Sequence, residues 1–217
     1  MADNLARIRS NLGNRPVTLI AVTKNATISQ IAEAFENGVT EFGENRIQDA
    51  FDRRQALPEA IASHVNWHFI GHLQTNKVKK AVGQFTLIHS VDSTRLANEI
   101  SSEAVKKKVV QPVLIQVKIL ADDTKSGFTP EEIRKELPAI LKLPNLKVEG
   151  LMTITPLSDE RSVWQKSFNG LRQLRDELQQ EHSIELKELS MGMTSDWQDA
   201  VECGATMIRL GRAVFGN

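Results

Sequence analysis

Eight short apolar runs recur along the chain with amphipathic segments between them, and that alternation restricts the fold more than any single residue does. The runs are "VTLIAVT" from Val17, "VTEFG" from Val39, "WHFIG" from Trp67 and "TLIHSV" from Thr86. They continue with "PVLIQVKI" from Pro112, "LKVEGLMT" from Leu146, "ELKELS" from Glu185 and "TMIRLG" from Thr206. Between them lie helical patterns. In "ISQIAEAFENG", Ile28, Ile31, Ala32 and Phe35 share a face, with Thr27 as a cap before it and Gly38 after it. In "SVWQKSFNGLRQLRDELQQEH", Trp164, Phe168, Leu171, Leu174 and Leu178 make a longer stripe. Strict strand–helix alternation implies parallel strands joined by right-handed crossovers. Eight such units predict an α/β chain closed as a single (β/α)8 TIM barrel. An extra N-terminal helix is expected over about Asp3 to Leu12. An open doubly wound sheet is the competing arrangement. No Pro- or Gly-rich linker, low-complexity tract or internal repeat divides the chain, so one domain over 1–217 is expected.

Composition narrows the function classes. Among 217 residues, 27 lysines and arginines balance 27 aspartates and glutamates, so bulk charge favours neither nucleic acid nor an anionic membrane. The one cysteine, Cys203, excludes an internal disulfide framework, and its place in "DAVECGA" predicts a packing role. No apolar run approaches the roughly 20 residues that span a bilayer, and "MADNLARIRS" has no signal-peptide core; the expected location is cytoplasmic. His64, His68, His72, His89 and His182 show no HExxH or similar spacing, so no metal is expected. "KVKKAV" and "AVKKKVV" read as solvated helix faces, and Trp67, Trp164 and Trp197 as packing groups.

Barrel sites lie at the C-terminal ends of strands, and polar residues collect there. The first run ends in Lys24 and Asn25, the second in Glu44, Asn45 and Arg46, and the third in Gly71 and His72. The seventh leads into Ser190, Gly192 and Thr194, and the eighth into Arg209, Gly211 and Arg212. Strand alternation puts Thr18, Ile20, Val22 and Lys24 on one face. If that face points inward, Lys24 tops an interior column, where partial desolvation favours the free amine that attacks a carbonyl. A lysine reaching water from a strand end fits the same residues.

The small residues of "LSMGMTSDWQDA" leave backbone N–H groups free to converge on an anion at a helix start. A plain helix cap by Thr194 or Ser195 fits them too. Barrel phosphate sites recur after strands seven and eight, and "IRLGRAVFG" supplies bare backbone at Gly211 with two arginines beside it. A lysine opposite a phosphate cradle implies a Schiff base with a phosphorylated aldehyde, of which pyridoxal 5'-phosphate (PLP) is the foremost example.

The assembled motifs resemble the pyridoxal phosphate homeostasis proteins, a PLP-binding family related to the N-terminal barrel domain of alanine racemase. "AVTKN", "FGENRIQDA", "WHFIGHLQTNK", "SVD", "KSGF", "GLMTI", "LSMGMTSDWQDAVECGAT" and "IRLGRAVFG" fit that family in order over nearly the whole chain. The resemblance implies that Lys24 holds PLP as an internal aldimine. It implies that Ser190, Gly192 and Thr194, with Gly211 and Arg212, bind the phosphate. It places Arg209 beside the pyridine nitrogen and Asn45 near the cofactor ring. An arginine there disfavours protonation of the nitrogen and weakens the ring as an electron sink. One departure stands in "QVKILADDTKSGF": Lys118 and Asp122 occupy positions where the family commonly has asparagine and glutamate, so that loop stays outside the expected binding set.

The function implied is a PLP carrier or buffer within vitamin B6 homeostasis and amino-acid metabolism, without a robust reaction of its own. Its partners would be PLP, with apo-PLP enzymes as recipients, and the chain is expected to be a monomer. A PLP-dependent racemase and a Schiff-base aldolase of a phosphorylated substrate are the enzyme alternatives. Racemisation of the alanine racemase type needs a tyrosine opposite the lysine, and this chain has no tyrosine at all.

Overall fold

In the computed structural model, which describes every residue except Asp123 and Asn217, each apolar run becomes a strand. Asp123 belongs to the loop after the fifth run and Asn217 closes the expected 1–217 domain, so those two points of the sequence reading lie outside the described residues. The strands are β1 (Thr18–Val22), β2 (Glu41–Glu44), β3 (Asn66–Phe69) and β4 (Leu87–Val91). They continue as β5 (Gln111–Gln116), β6 (Leu146–Met152), β7 (Glu188–Ser190) and β8 (Met207–Leu210). The helices of the first half are α1 (Ala2–Leu12), α2 (Ile28–Glu36), α3 (Ile47–Ala56), α4 (Glu59–Ala62) and α5 (Val78–Ala81). Those of the second half are α6 (Thr94–Lys107), α7 (Pro130–Ile140), α8 (Arg161–His182), α9 (Trp197–Glu202) and α10 (Arg212–Phe215).

Every strand pairs in parallel with the next, and β1 pairs in parallel with β8, Thr18 opposite Met207 and Ala21 opposite Leu210. The sheet is therefore a closed barrel, which excludes the open doubly wound alternative. The extra N-terminal helix is present as α1. It buries Leu5, Ile8 and Leu12 and is tied to α10 by the Asn4 side-chain amide, which donates to the Val214 carbonyl at 3.2 Å. Local signals act as their chemistry requires. Thr27 and Gln30 form a capping box at the start of α2, and Gly38 follows its end at φ 80°. The largest departure from an expected strand start is at β7, which begins at Glu188 rather than Glu185.

Period-two alternation sorts the strand side chains into two layers. Ile20, Leu87, Leu114, Met152 and Met207 pack together inside the barrel. Phe42, Trp67, Ile88, Ile115, Leu151, Leu189 and Ile208 point outward and pack with the helices, including Phe168, Leu171, Leu174 and Leu178 of α8. Ile20 is inside, so the face carrying Thr18, Val22 and Lys24 is the inward face.

Gly150 shows how tightly the sheet is closed. It sits opposite Glu188 in the β6–β7 ladder, and a Cβ added there would lie 2.0 Å from the Glu188 carbonyl oxygen. Because that neighbour is backbone, the strands would have to part. Gly150→Ala is expected to lower unfolding free energy by about 1–3 kcal/mol or more, read as a lower urea midpoint; an unchanged midpoint would mean the ladder yields there.

Candidate functional site

Lys24 follows β1 by two residues and is fastened through its backbone rather than its side chain. Arg53 on α3 donates from Nη2 to the Lys24 carbonyl at 3.2 Å, while its Nη1 lies 3.1 Å from Glu44 Oε1. The Thr23 hydroxyl donates to the same carboxylate oxygen, and Thr23 N–H bonds the Gly43 carbonyl at 3.1 Å. Glu44 is fully buried; burial pushes its carboxyl pKa up, against the opposing pull of Thr23 and Arg53. This cluster locks the turn that carries Lys24. The Lys24 side chain itself is exposed. The desolvation expected of it is therefore not supplied by the barrel mouth, because β1 ends at Val22 and Lys24 stands above the packed interior.

Closure of the sheet brings the end of β8 to this lysine. Val22, Lys24, Gly211, Arg212 and Phe215 line one cavity. A Cβ on Gly211 would meet Val22 at 3.5 Å, an ordinary contact, so the fold alone does not demand glycine there. Asn45 lies on the neighbouring rim, lining a second cavity with Arg46, Gln48, His72 and Lys77. Its backbone is pressed against Gly71, where a Cβ would come within 2.2 Å of the Asn45 carbonyl oxygen.

Two of the expected residues lie deeper. Ser190 and Arg209 are both buried in the interior and bonded to each other, Arg209 Nη1 donating to Ser190 Oγ at 2.6 Å and Nη2 to the Thr153 carbonyl at 2.9 Å. Burial lowers the guanidinium pKa to about 10, partly countered by the Asp196 carboxylate, so the group is still a cation at neutral pH. The Ser190 hydroxyl, expected among the phosphate-binding groups, is thus engaged by Arg209 and His89 beneath the rim.

Gly192 and Thr194 lie in the loop between β7 and α9. Gly192 has φ 93°, and a Cβ there would come within 2.6 Å of the Ala200 side chain. Its carbonyl accepts the Arg209 N–H at 3.0 Å. The cap reading for Thr194 or Ser195 does not hold. Asp196 is the N-cap, without a side-chain bond to the first turn, and α9 is six residues long, so its dipole contributes little. Asp196 instead braces the loop: Oδ1 accepts from Met193 N–H at 2.6 Å and Oδ2 from the Thr155 hydroxyl at 2.7 Å.

In the strand-five loop, Asp122 serves the loop itself. It accepts from the Thr124 hydroxyl and N–H and pairs with Lys125 at 2.9 Å. Those bonds, the Thr124 hydroxyl first, hold its carboxyl at about 2.

Sequence reasoning missed three interior groups. His68 and His89 face each other at 2.9 Å, with Glu41 beyond His68 and Ser190 beyond His89. Screening histidines for metal spacing passed over them. The alternation used for β1 would have found them, since His68 shares a face with Ile70, and His89 with Leu87.

This geometry belongs to a known class. The family model for the alanine racemase N-terminal domain matches residues 1–217. The chain is 42% identical over 209 residues to the pyridoxal phosphate homeostasis protein of Aquifex aeolicus, covering 96% of this chain and 90% of that one. It is 44% identical over 201 residues to the protein of the same description from Synechocystis, covering 93% and 91%. The solved structure of PipY from Synechococcus elongatus with PLP bound superposes with a TM-score of 0.90 at 42% identity, covering 99% of each chain. An alanine racemase from Clostridium difficile shares the fold at a TM-score of 0.80 and 16% identity, with this chain spanning 56% of its length. The chain belongs to the alanine racemase N-terminal domain family and, within it, to the pyridoxal phosphate homeostasis proteins.

Removing the loop brace tests its energetics. Asp196→Ala leaves two donors, Met193 N–H and the Thr155 hydroxyl, without their acceptor, and about 1–3 kcal/mol is expected for each buried donor. Chemical denaturation should show the loss; less than about 0.5 kcal/mol in total would mean that water replaces the carboxylate.

Proposed function

We propose that this chain, as one domain, holds PLP covalently through the Lys24 amine and takes part in its homeostasis without robust catalysis of its own. The observation that carries the reading is adjacency: the lysine and the bare backbone of Gly211 and Arg212 line one small recess at the rim. The residues fit the group. Lys24 offers the amine, Gly211 and Arg212 with Gly192 and Thr194 offer the segments for the phosphate, and Asn45 stands at the adjoining rim. Arg209 is a buried donor for the pyridine nitrogen, and Ser190 supports that arginine from below. PLP supplies a reactive aldehyde and an electron-accepting ring; the chain supplies the amine, the anion-binding backbone and a fixed cation.

A holding role is favoured over catalysis by two features. No tyrosine is present to act as the second base. A guanidinium that stays a cation at neutral pH beside the ring nitrogen keeps that nitrogen unprotonated, which weakens carbanion stabilisation. The names of the curated relatives, pyridoxal phosphate homeostasis proteins, support the same reading. We assign the chain a monomeric, cytoplasmic role with PLP as its ligand, and apo-PLP enzymes as the class of recipient. Among the described residues, no helix is long and apolar enough to cross a membrane.

Borohydride reduction of PLP-loaded protein followed by peptide mapping is expected to place the adduct on Lys24. Lys125 is held by Asp122 and the Thr155 carbonyl, and an adduct there would overturn the assignment. Incubation with L- and D-alanine should give no racemisation at an ordinary turnover of about 1 per second or faster.

The phosphate assignment is tested at Gly211, where the fold has room for a side chain. Gly211→Val is expected to fold normally and to lose at least about tenfold in PLP affinity, one lost charged hydrogen bond being worth about 1.5–3 kcal/mol. Unphosphorylated pyridoxal should bind weakly to both proteins. Equal affinity of the wild type for PLP and pyridoxal would move the phosphate elsewhere.

A further inference from the structure

A chain of buried polar groups crosses the barrel interior from its base to the site. Glu41 begins β2 at the lower mouth, and its Oε2 lies 2.8 Å from His68 Nε2. His68 Nδ1 lies 2.9 Å from His89 Nε2, and His89 Nδ1 lies 2.8 Å from Ser190 Oγ. Ser190 Oγ accepts from Arg209 at 2.6 Å. His68, His89, Ser190 and Arg209 are each at least 95% buried. The two rings meet edge to face, with centroids 5.1 Å apart.

Hydrogen-bond bookkeeping gives this chain one direction. A guanidinium only donates and an ionised carboxylate only accepts, so both ends are fixed. Three groups stand between them, a hydroxyl and two imidazoles, and three bonds join them to one another and to Glu41; with one hydrogen on each group, three hydrogens serve three bonds. One arrangement satisfies all three: Ser190 O–H donates to His89 Nδ1, His89 Nε2–H to His68 Nδ1, and His68 Nε2–H to Glu41. Burial, with the Arg209 cation close by, holds His89 well below its ordinary pKa and so neutral. Burial alone would raise the Glu41 carboxyl, but bonds from His68 and Asn66 outweigh it and keep it low and ionised.

Glu41 also accepts on Oε1 from Asn66 at 2.8 Å and Thr40 at 3.2 Å, and among the described residues no other side chain bonds the two histidines. β1, β5 and β6 present Ile20, Leu114 and Met152 to the same interior. Glu188 on β7 is taken by the Thr206 hydroxyl at 2.5 Å, and Asp196, after β7, accepts from Thr155 and Met193. Apolar side chains would fill this column at lower desolvation cost, so packing does not account for it.

We propose that Glu41, His68 and His89 are positioning residues for the cofactor site, a one-directional relay that sets Ser190 as the acceptor for Arg209 and links that arginine to proton uptake at the far mouth of the barrel. The cofactor part of this proposal rests on the reading that Arg209 faces the PLP ring. One added proton reverses the relay. His68 then carries hydrogens on both nitrogens, His89 must hold its hydrogen on Nδ1, and Ser190 faces two donors. Its oxygen accepts from both through its two lone pairs and its own hydrogen turns away from the relay, so the guanidinium keeps its bond but meets a hydroxyl of altered polarity.

The direct test needs no cofactor. Long-range proton–nitrogen correlation spectra of histidine-labelled protein at about pH 7.5 report which ring nitrogen carries hydrogen. Both rings are expected as neutral Nε2–H tautomers, with peaks assigned by their loss in His68→Gln and His89→Gln. An Nδ1–H tautomer at His89 overturns the proposal. The second arm follows bound-PLP absorbance against pH in wild type and Glu41→Gln, whose amide oxygen still accepts but carries no charge. Removing the carboxylate should move the relay-dependent midpoint to lower pH by about 0.5 unit or more; superimposable profiles overturn the link to the site. If wild type takes up no PLP, the functional reading fails while the tautomer spectra still decide the relay.

Discussion

The parallel pairing of β1 with β8 is the constraint on which the other features depend. These strands lie at opposite ends of the sequence, and their contact is what makes the sheet a barrel. It carries the Gly211–Arg212 backbone to Lys24 and puts both on the wall of one cavity. Closure also gives the sheet an inside. Alternation then decides which side chains enter it, and Arg209 and Ser190 inherit their places from Met207 and Glu188, two residues before them on the same strands.

That dependence explains what was legible in the sequence. The eight runs, the caps at Thr27 and Gly38 and the stripe of α8 are local signals, written in residues near one another. The inward face of β1 could be stated conditionally, and one residue, Ile20, settles it. The Lys24–Gly211 pairing was accessible because barrel architecture fixes where strand ends meet. Three things were hidden for physical reasons. The exposure of Lys24 depends on how far β1 runs, an end effect that periodicity does not resolve. The bracing by Asp196 depends on Thr155, which arrives from the segment after β6, 41 residues earlier in the chain. Alternation places the relay's histidines on inward faces, but which groups bond one another depends on β2, β3, β4, β7 and β8, strands far apart in sequence.

Two kinds of polar cluster support the site, and they act differently. Glu44, Arg53 and Thr23 sit outside the barrel wall and hold the backbone of the Lys24 turn, leaving its side chain free to move. Arg209 is held at its side chain, with both terminal nitrogens occupied and the group nearly sealed from water. On the proposed reading, the amine that meets an aldehyde profits from freedom, and the cation that faces the ring profits from rigidity.

The division of the core into two layers bears on how this fold changes over time. The outer layer, between strands and helices, holds most of the buried apolar side chains, each worth about 1.5–3 kcal/mol when fully buried. The inner apolar cluster is confined to Ile20, Leu87, Leu114, Met152 and Met207, with Ile154 packed against it. Stability therefore resides in the shell, and the lumen is comparatively free to be rewritten. A lineage can exchange its interior groups, and with them its chemistry, while the shell keeps the barrel folded throughout the change.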